Sequence, residues 1–313
     1  MKHLTAFILL AITIGTAQAG PKVVYGIDNR KDVFETSNQL HLNLAMSTAA
    51  MVEKSKMTKS VLNSFDLSET RTLERSMNLC ASEKFSQQPL AATCSGFLVG
   101  QDTIVTAGHC YKSFDLPQNV CKNFAWVFDY NMKSVSHDPT KNISIANIYH
   151  CKSVARVVLD NQMDYAIIKL DRPVVGRSPL KFRTSGKIDA NAPLMVIGHP
   201  SGLPTKISEG ARITQNNEPT RFSTTLDTFQ GNSGSAVFNS QTGQVEGILI
   251  MGKNDYVPNN RFAPTCMVVN KCDENAMNCT GGAEPGAVDK GEVVLRIEKI
   301  ASFIASANSK KKK

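Results

Sequence analysis

Along most of its length the chain falls into apolar runs of about four to seven residues, rich in Val, Ile and Phe and closed off by Gly, Pro, Asn or Asp. Ser95–Val99, Ile104–Thr106, Ala125–Tyr130, Ile143–Tyr149, Ala166–Leu170, Leu194–Gly198, Ser235–Phe238 and Val245–Met251 are examples. Runs this short cannot supply the long amphipathic helices of an alternating α/β fold, so they predict an all-β sandwich or barrel. The 313 residues, 42% of them apolar, suffice for one large β domain or for two lobes. Two stretches break the rhythm. Residues 45–78 are rich in Met, Lys and Ser with no clear period, and the pattern assigns them no element. Residues 253–290 gather Gly, Pro and Cys and read as a long loop held by disulfides. Past Glu292, the residues Ile297, Ile300, Phe303 and Ile304 recur at helical spacing and predict a terminal amphipathic helix packed on the body.

The first residues set the expected compartment. Lys2, the apolar run Leu4 to Ile14 and Ala17-Gln18-Ala19 make the charged, apolar and small-x-small parts of a cleavable signal peptide over residues 1–19. That run is too short to cross a bilayer as a helix, which takes about 20 residues, and no later stretch is long and apolar enough. The protein is therefore expected to be secreted or periplasmic, with no transmembrane segment. All eight cysteines follow the leader, an even number in an oxidising compartment, and no CxxC spacing points to zinc. The formal net charge is +8, and Lys310 to Lys313 supply four of those charges as a solvated tail. No basic stripe with interleaved aromatics occurs, so nucleic acid is not an expected partner.

Three local patterns carry chemistry. Thr106-Ala107-Gly108-His109-Cys110 follows the strand-like Ile104-Val105 and puts a histidine at a strand end. A disulfide from Cys110 back to Cys94 would close a hairpin-like excursion and fix the backbone that carries His109, as a general base requires. Gly231-Asn232-Ser233-Gly234-Ser235 sets a serine between glycines, in a turn tight enough to expose Oγ. The N–H groups of Gly231 and Ser233 could then converge on one oxyanion. Asp164 opens the apolar run Asp164–Leu170, where a half-buried carboxylate can orient a histidine; Asp160 and Asp171 lie nearby but do not lead into the run. His199, in a Gly-His-Pro turn, reads as structural, because one base suffices.

The order His, Asp, Ser, with a cysteine beside the histidine and Gly-Asn-Ser-Gly-Ser around the serine, resembles the chymotrypsin/trypsin-like serine proteases. Val23–Arg30, Gly198–Pro204 and Asn232 look most like secreted bacterial members akin to the staphylococcal V8 and glutamyl endopeptidase group. The resemblance covers roughly residues 90 to 252 well and 23 to 30 weakly. It implies two six-stranded antiparallel β-barrels with a C-terminal α-helix and a His109, Asp164, Ser233 triad in the cleft. The division it suggests is an N-terminal region with the first lobe over 20–180, a second lobe over 181–295 containing the 253–290 loop, and a helix with its basic tail over 296–313. The implied activity is endopeptidase hydrolysis of protein or peptide substrates by a monomer, with no metal and no cofactor. The alternative is a secreted binding or adhesion protein that kept the fold and lost catalysis.

The resemblance also frames the substrate pocket and the disulfides. An aspartate six residues before the nucleophile, here Asp227, forms the floor of the primary pocket in trypsin-like enzymes and selects Lys or Arg; bracing its own loop is the equal alternative. Met251 and Gly252 stand where the substrate-lining strand is expected. That stretch lacks the histidine of glutamate-selective members, and Asn232 replaces the aspartate that animal trypsins use on activation. Cleavage after Lys22 by an enzyme selecting basic residues would make Val23 the first residue. Cys94–Cys110 matches the family's histidine-loop disulfide. Cys121 and Cys151 lie symmetrically about position 136 in an expected hairpin, where a bridge fits. Cys80, Cys266, Cys272 and Cys279 allow three pairings.

Overall fold

The structure, a computed structural model, describes residues 23–309 apart from 62, 69, 113, 114, 253, 261, 277 and 281–290. The leader expected over 1–19, the Lys22 cleavage point and the Lys310–Lys313 tail lie outside the described residues.

Six antiparallel strands close into a barrel. In order around it they are Thr48–Glu53, Phe124–Phe128, Ile148–Leu159, Asp164–Leu170, Thr103–Thr106 and Ala92–Gly100, which pairs back to Thr48–Glu53. Phe97, Trp126, Phe128, Tyr149 and Ile167 fill the interior. The unassigned 45–78 region supplies the first of these strands. Ala49 and Met51 face the main core, while Ala50 and Val52 face a second cluster with Ala125, Val127, Leu67 and Tyr130. A strand buried on both sides has no reason to alternate, which is why no period marked it.

The second lobe is an eight-stranded sheet curled into a half-barrel. Its order is Ile213–Gln215, Arg221–Thr224, Glu292–Arg296, Val245–Met251, Ala236–Asn239, Leu194–Gly198, Lys206–Ala211 and Lys31–Asp32. The expected six-stranded closure is thus opened out here, and both edges end in strands of three residues or fewer, short enough to resist pairing with another chain. The N-terminal region contributes to this second sheet, since Lys31–Asp32 pairs with Lys206–Ile207. Val24–Tyr25 likewise pairs with Lys271–Cys272.

The terminal helix spans Ala301–Ser309, after a 3-10 turn at Ile297–Lys299. It returns to the first barrel. Phe303 stacks on Tyr165 with ring centroids 6.3 Å apart, and the Arg156 guanidinium lies 4.0 Å over the Phe303 ring. Lys169 Nζ reaches the Ala307 carbonyl at 3.3 Å, and Asn308 Nδ2 donates to the Val99 carbonyl at 3.0 Å.

Four disulfides join Cys80 to Cys266, Cys94 to Cys110, Cys121 to Cys151 and Cys272 to Cys279. The register expected around Cys121–Cys151 differs. Ala125 pairs with His150 and Val127 with Ile148, so the strands are symmetric about a point between His137 and Asp138, not about 136. Cys121 sits in the helix Pro117–Asn123 that precedes the strand, and the helical turn carries its sulfur to Cys151 off the ladder. In the 253–290 loop, Tyr256–Pro258 and Met267–Val269 form a small hairpin, and Cys80–Cys266 fastens its far strand to the 73–80 segment.

Candidate active site

The hairpin Ile148–Leu159 and Asp164–Leu170 closes with Leu159 opposite Asp164. Asp160 Oδ1 accepts the N–H groups of Gln162 and Met163, each at 2.8 Å, and so shapes the turn. Asp171 accepts the His150 N–H at 3.0 Å and faces Arg172. Both sequence rivals of Asp164 are therefore spent on local structure. Asp164 itself points at the histidine loop. Its Oδ1 accepts the His109 backbone N–H at 2.9 Å, and its Oδ2 lies 2.7 Å from His109 Nδ1. One carboxylate thus holds both the main chain and the ring of His109. An acceptor at that distance places the hydrogen on Nδ1 and leaves Nε2 with its lone pair, as a general base needs.

The serine turn packs against the same strand end. The Ser233 carbonyl accepts the Ser95 N–H at 2.8 Å, and the sulfur of Cys110, half of the Cys94 bridge, lies 3.8 Å from that oxygen. Gly234 has φ +85°, and a Cβ there would overlap the Ser95 carbonyl and the Thr106 hydroxyl. Only a glycine lets the residue after Ser233 approach Thr106, three positions before His109, so closely. Gly231, at φ +92°, is fenced by the His199 carbonyl and the Gly202 N–H in the same way. Across the interface, Ser95 Oγ donates to the Gly231 carbonyl at 2.8 Å and accepts the His199 N–H at 3.0 Å. Sequence reading passed over Ser95. Its signal was a hydroxyl within an apolar strand at a position that is fully buried.

His109, Asp164 and Ser233 are each under a tenth exposed, so charge in this site is poorly screened by water. His109 also lies close to the sulfurs of Cys94 and Cys110. Those sulfurs are joined to each other and offer no thiolate, so the group is not a metal-ligand set.

The remaining candidates fall elsewhere. His199 is fully buried, stacks on Tyr130 and shares Nδ1 with the Leu203 carbonyl at 3.1 Å. Burial lowers its pKa to about 3, so it stays neutral. Asp227 is buried too. Its Oδ1 accepts the Tyr25 N–H at 2.8 Å and its Oδ2 the Asn29 N–H at 3.3 Å. Burial pushes its pKa up to about 7, outweighing the lowering effect of those donors and of Arg30. Its oxygens thus meet the N-terminal segment, contacts 202 and 198 residues away in sequence that no local motif announces. Met251 ends the strand Val245–Met251, paired with Val293, and Gly252 follows; both are half-buried.

Comparison with known proteins adds a family. Residues 94–248 match the model of the trypsin-like peptidase domain. Among solved structures, a Glu endopeptidase is 15% identical with a TM-score of 0.48, covering 92% of this chain and 100% of that one. The Vibrio cholerae VesB protease is 12% identical with a TM-score of 0.51, covering 90% of this chain and 68% of that one. None of the curated protein sequences matches this chain.

Proposed function

The chain belongs to the chymotrypsin/trypsin-like serine protease family, and from that premise we propose that it is a secreted serine endopeptidase with His109, Asp164 and Ser233 as its triad. In this reading His109 Nε2 takes the Ser233 proton as Oγ attacks the peptide carbonyl carbon. The resulting oxyanion is held by the N–H groups of Gly231 and Ser233. His109 then gives its proton to the departing amine, and water repeats the sequence to release the acyl group and restore Ser233. Asp164 stabilises the imidazolium in between.

The observation that carries the proposal is the Asp164 carboxylate shared between the His109 main chain and ring, with the Ser233 turn wedged against the same strand end. Four disulfides fit an oxidising compartment, which supports export. For Asp227, the backbone partners support the bracing role over a pocket floor that selects Lys or Arg. A fluorophosphonate should label the mature protein at Ser233, and Ser233→Ala should abolish both labelling and peptide turnover, by about 10⁶-fold for the latter. A folded parent that stays unlabelled overturns the reading.

A further inference from the structure

The small hairpin of Tyr256–Pro258 and Met267–Val269 supplies no group to the reaction described above, yet it is built as a rigid mount. Tyr256 pairs with Val269, and the Asn270 N–H donates to the Asp255 carbonyl at 2.9 Å. Asn270 Nδ2 donates to the Asn254 carbonyl at 2.8 Å. The far strand is tied down by the Cys80–Cys266 bridge and by two main-chain bonds. In these the Met267 N–H donates to the Asn78 carbonyl at 2.8 Å, and the Cys80 N–H to the Met267 carbonyl at 2.9 Å. What the mount carries, at positions 255 and 256, is aimed at the serine turn.

Asp255 Oδ2 accepts the Gln230 N–H at 2.9 Å. Tyr256 packs its ring on Phe229, with centroids 5.3 Å apart, and the Arg30 guanidinium lies 4.0 Å over that same Phe229 ring. The Tyr256 hydroxyl meets Ser201 Oγ at 2.6 Å. Burial raises the Tyr256 pKa above the usual phenol range, so the hydroxyl keeps its proton. Ser201 stands at φ +55°, a backbone conformation that residues with a side chain rarely adopt and that persists where the surroundings hold it. From there its N–H donates to the Gln230 carbonyl. Both main-chain groups of Gln230 are thus engaged, the N–H directly by Asp255 and the carbonyl by Ser201, whose side chain Tyr256 holds.

That engagement fixes the next donor along the chain. The Gln230–Gly231 peptide is trans, so its N–H points opposite to its carbonyl. With the carbonyl held on Ser201, the Gly231 N–H is turned away from the 199–202 turn, and it donates to no protein group among the described residues. Nothing intrinsic keeps it there, because a glycine rotates about its backbone at little cost. A peptide turned over would replace the donor with a carbonyl oxygen, which repels an oxyanion instead of holding it. The orientation of this one peptide must therefore come from its contacts.

We propose that Asp255 and Tyr256 are positioning residues for the oxyanion hole, clamping the Gln230–Gly231 peptide so that the Gly231 N–H stays turned toward the developing charge. The proposal rests on the peptidase reading above. On a short peptide amide, Asp255→Ala with Tyr256→Phe should lower kcat about 10²-fold and hold KM within about threefold, the scale of one lost oxyanion donor. The matching peptide aldehyde, whose tetrahedral adduct carries its oxygen at the same place, should lose affinity by the same factor. Asp255→Asn keeps an oxygen for the Gln230 N–H and should retain kcat within about threefold. Unchanged kcat in the double variant, a rise in KM alone, or equal losses in Asp255→Asn and Asp255→Ala overturns the proposal. Should the double variant fail to fold, Tyr256→Phe, which keeps the ring on Phe229, decides by the same split at about tenfold. A parent that cleaves nothing and takes no fluorophosphonate sinks the peptidase reading instead. The crystal structure of the double variant then decides the clamp. A Gln230 carbonyl turned off Ser201 bears it out, and one still held there overturns it.

Discussion

The surroundings of Asp164 and Asp227 form a natural experiment within one molecule. Both are buried carboxylates, and both accept backbone N–H groups from distant segments. At Asp164 one oxygen is left for an imidazole, so the charge has a partner able to pick up a proton and answer it. At Asp227 both oxygens go to the main chain of Tyr25 and Asn29, and the cost of burying charge shows as a pKa raised to about 7. The same side chain holds a histidine ring in one place and fastens the 25–29 segment in the other. Its second oxygen decides which.

The contrast can be broken first at Asp164. Asp164→Asn should lower kcat on a short peptide amide by about 10⁴, since the amide no longer enforces the Nδ1–H tautomer. Circular dichroism should show the fold unchanged, and a loss under tenfold would put the charge requirement elsewhere. Asp227→Asn should do something smaller and of another kind. The folded-state pKa of Asp227 lies above the ordinary 3.8, so the folded protein holds the extra proton between about pH 4 and 7. The stability this group contributes is therefore full below about pH 4 and is lost as pH rises to about 7. Scanning fluorimetry should find the variant gaining a few degrees on the parent across that window. Its kcat/KM should shift alike for all P1 side chains in a positional-scanning library. A loss confined to Lys and Arg would make Asp227 a pocket floor after all. The smallest effect is expected at His199→Phe, which should keep kcat/KM within about threefold. The Leu203 carbonyl loses its donor, at a cost of about 1–3 kcal/mol, read as a fall in Tm.

Much of the fold was readable because strands such as Asp164–Leu170 and Val245–Met251 are bounded apolar runs between turn residues. Thr48–Glu53 was not, because both its faces are buried and it carries alanine where a strand usually carries Val or Ile. In the candidate site, residue types and order were visible around His109 and Ser233. The engagement of Asp227 was not, because it depends on where residues 25–29 lie in space. Nor was the route of the Cys121 bridge, since a helix before the strand moved the sulfur out of the hairpin register.

The helix Ala301–Ser309 is the last described element, yet it rests on the hairpin that presents Asp164, through Phe303 on Tyr165 and Ala307 on Lys169. A polypeptide leaves the ribosome, or an export channel, with its beginning first. That hairpin therefore stays without its backing until residues 301–309 have followed it out. A copy cut short before Ala301 lacks the ring stacked on Tyr165 behind the strand that carries Asp164.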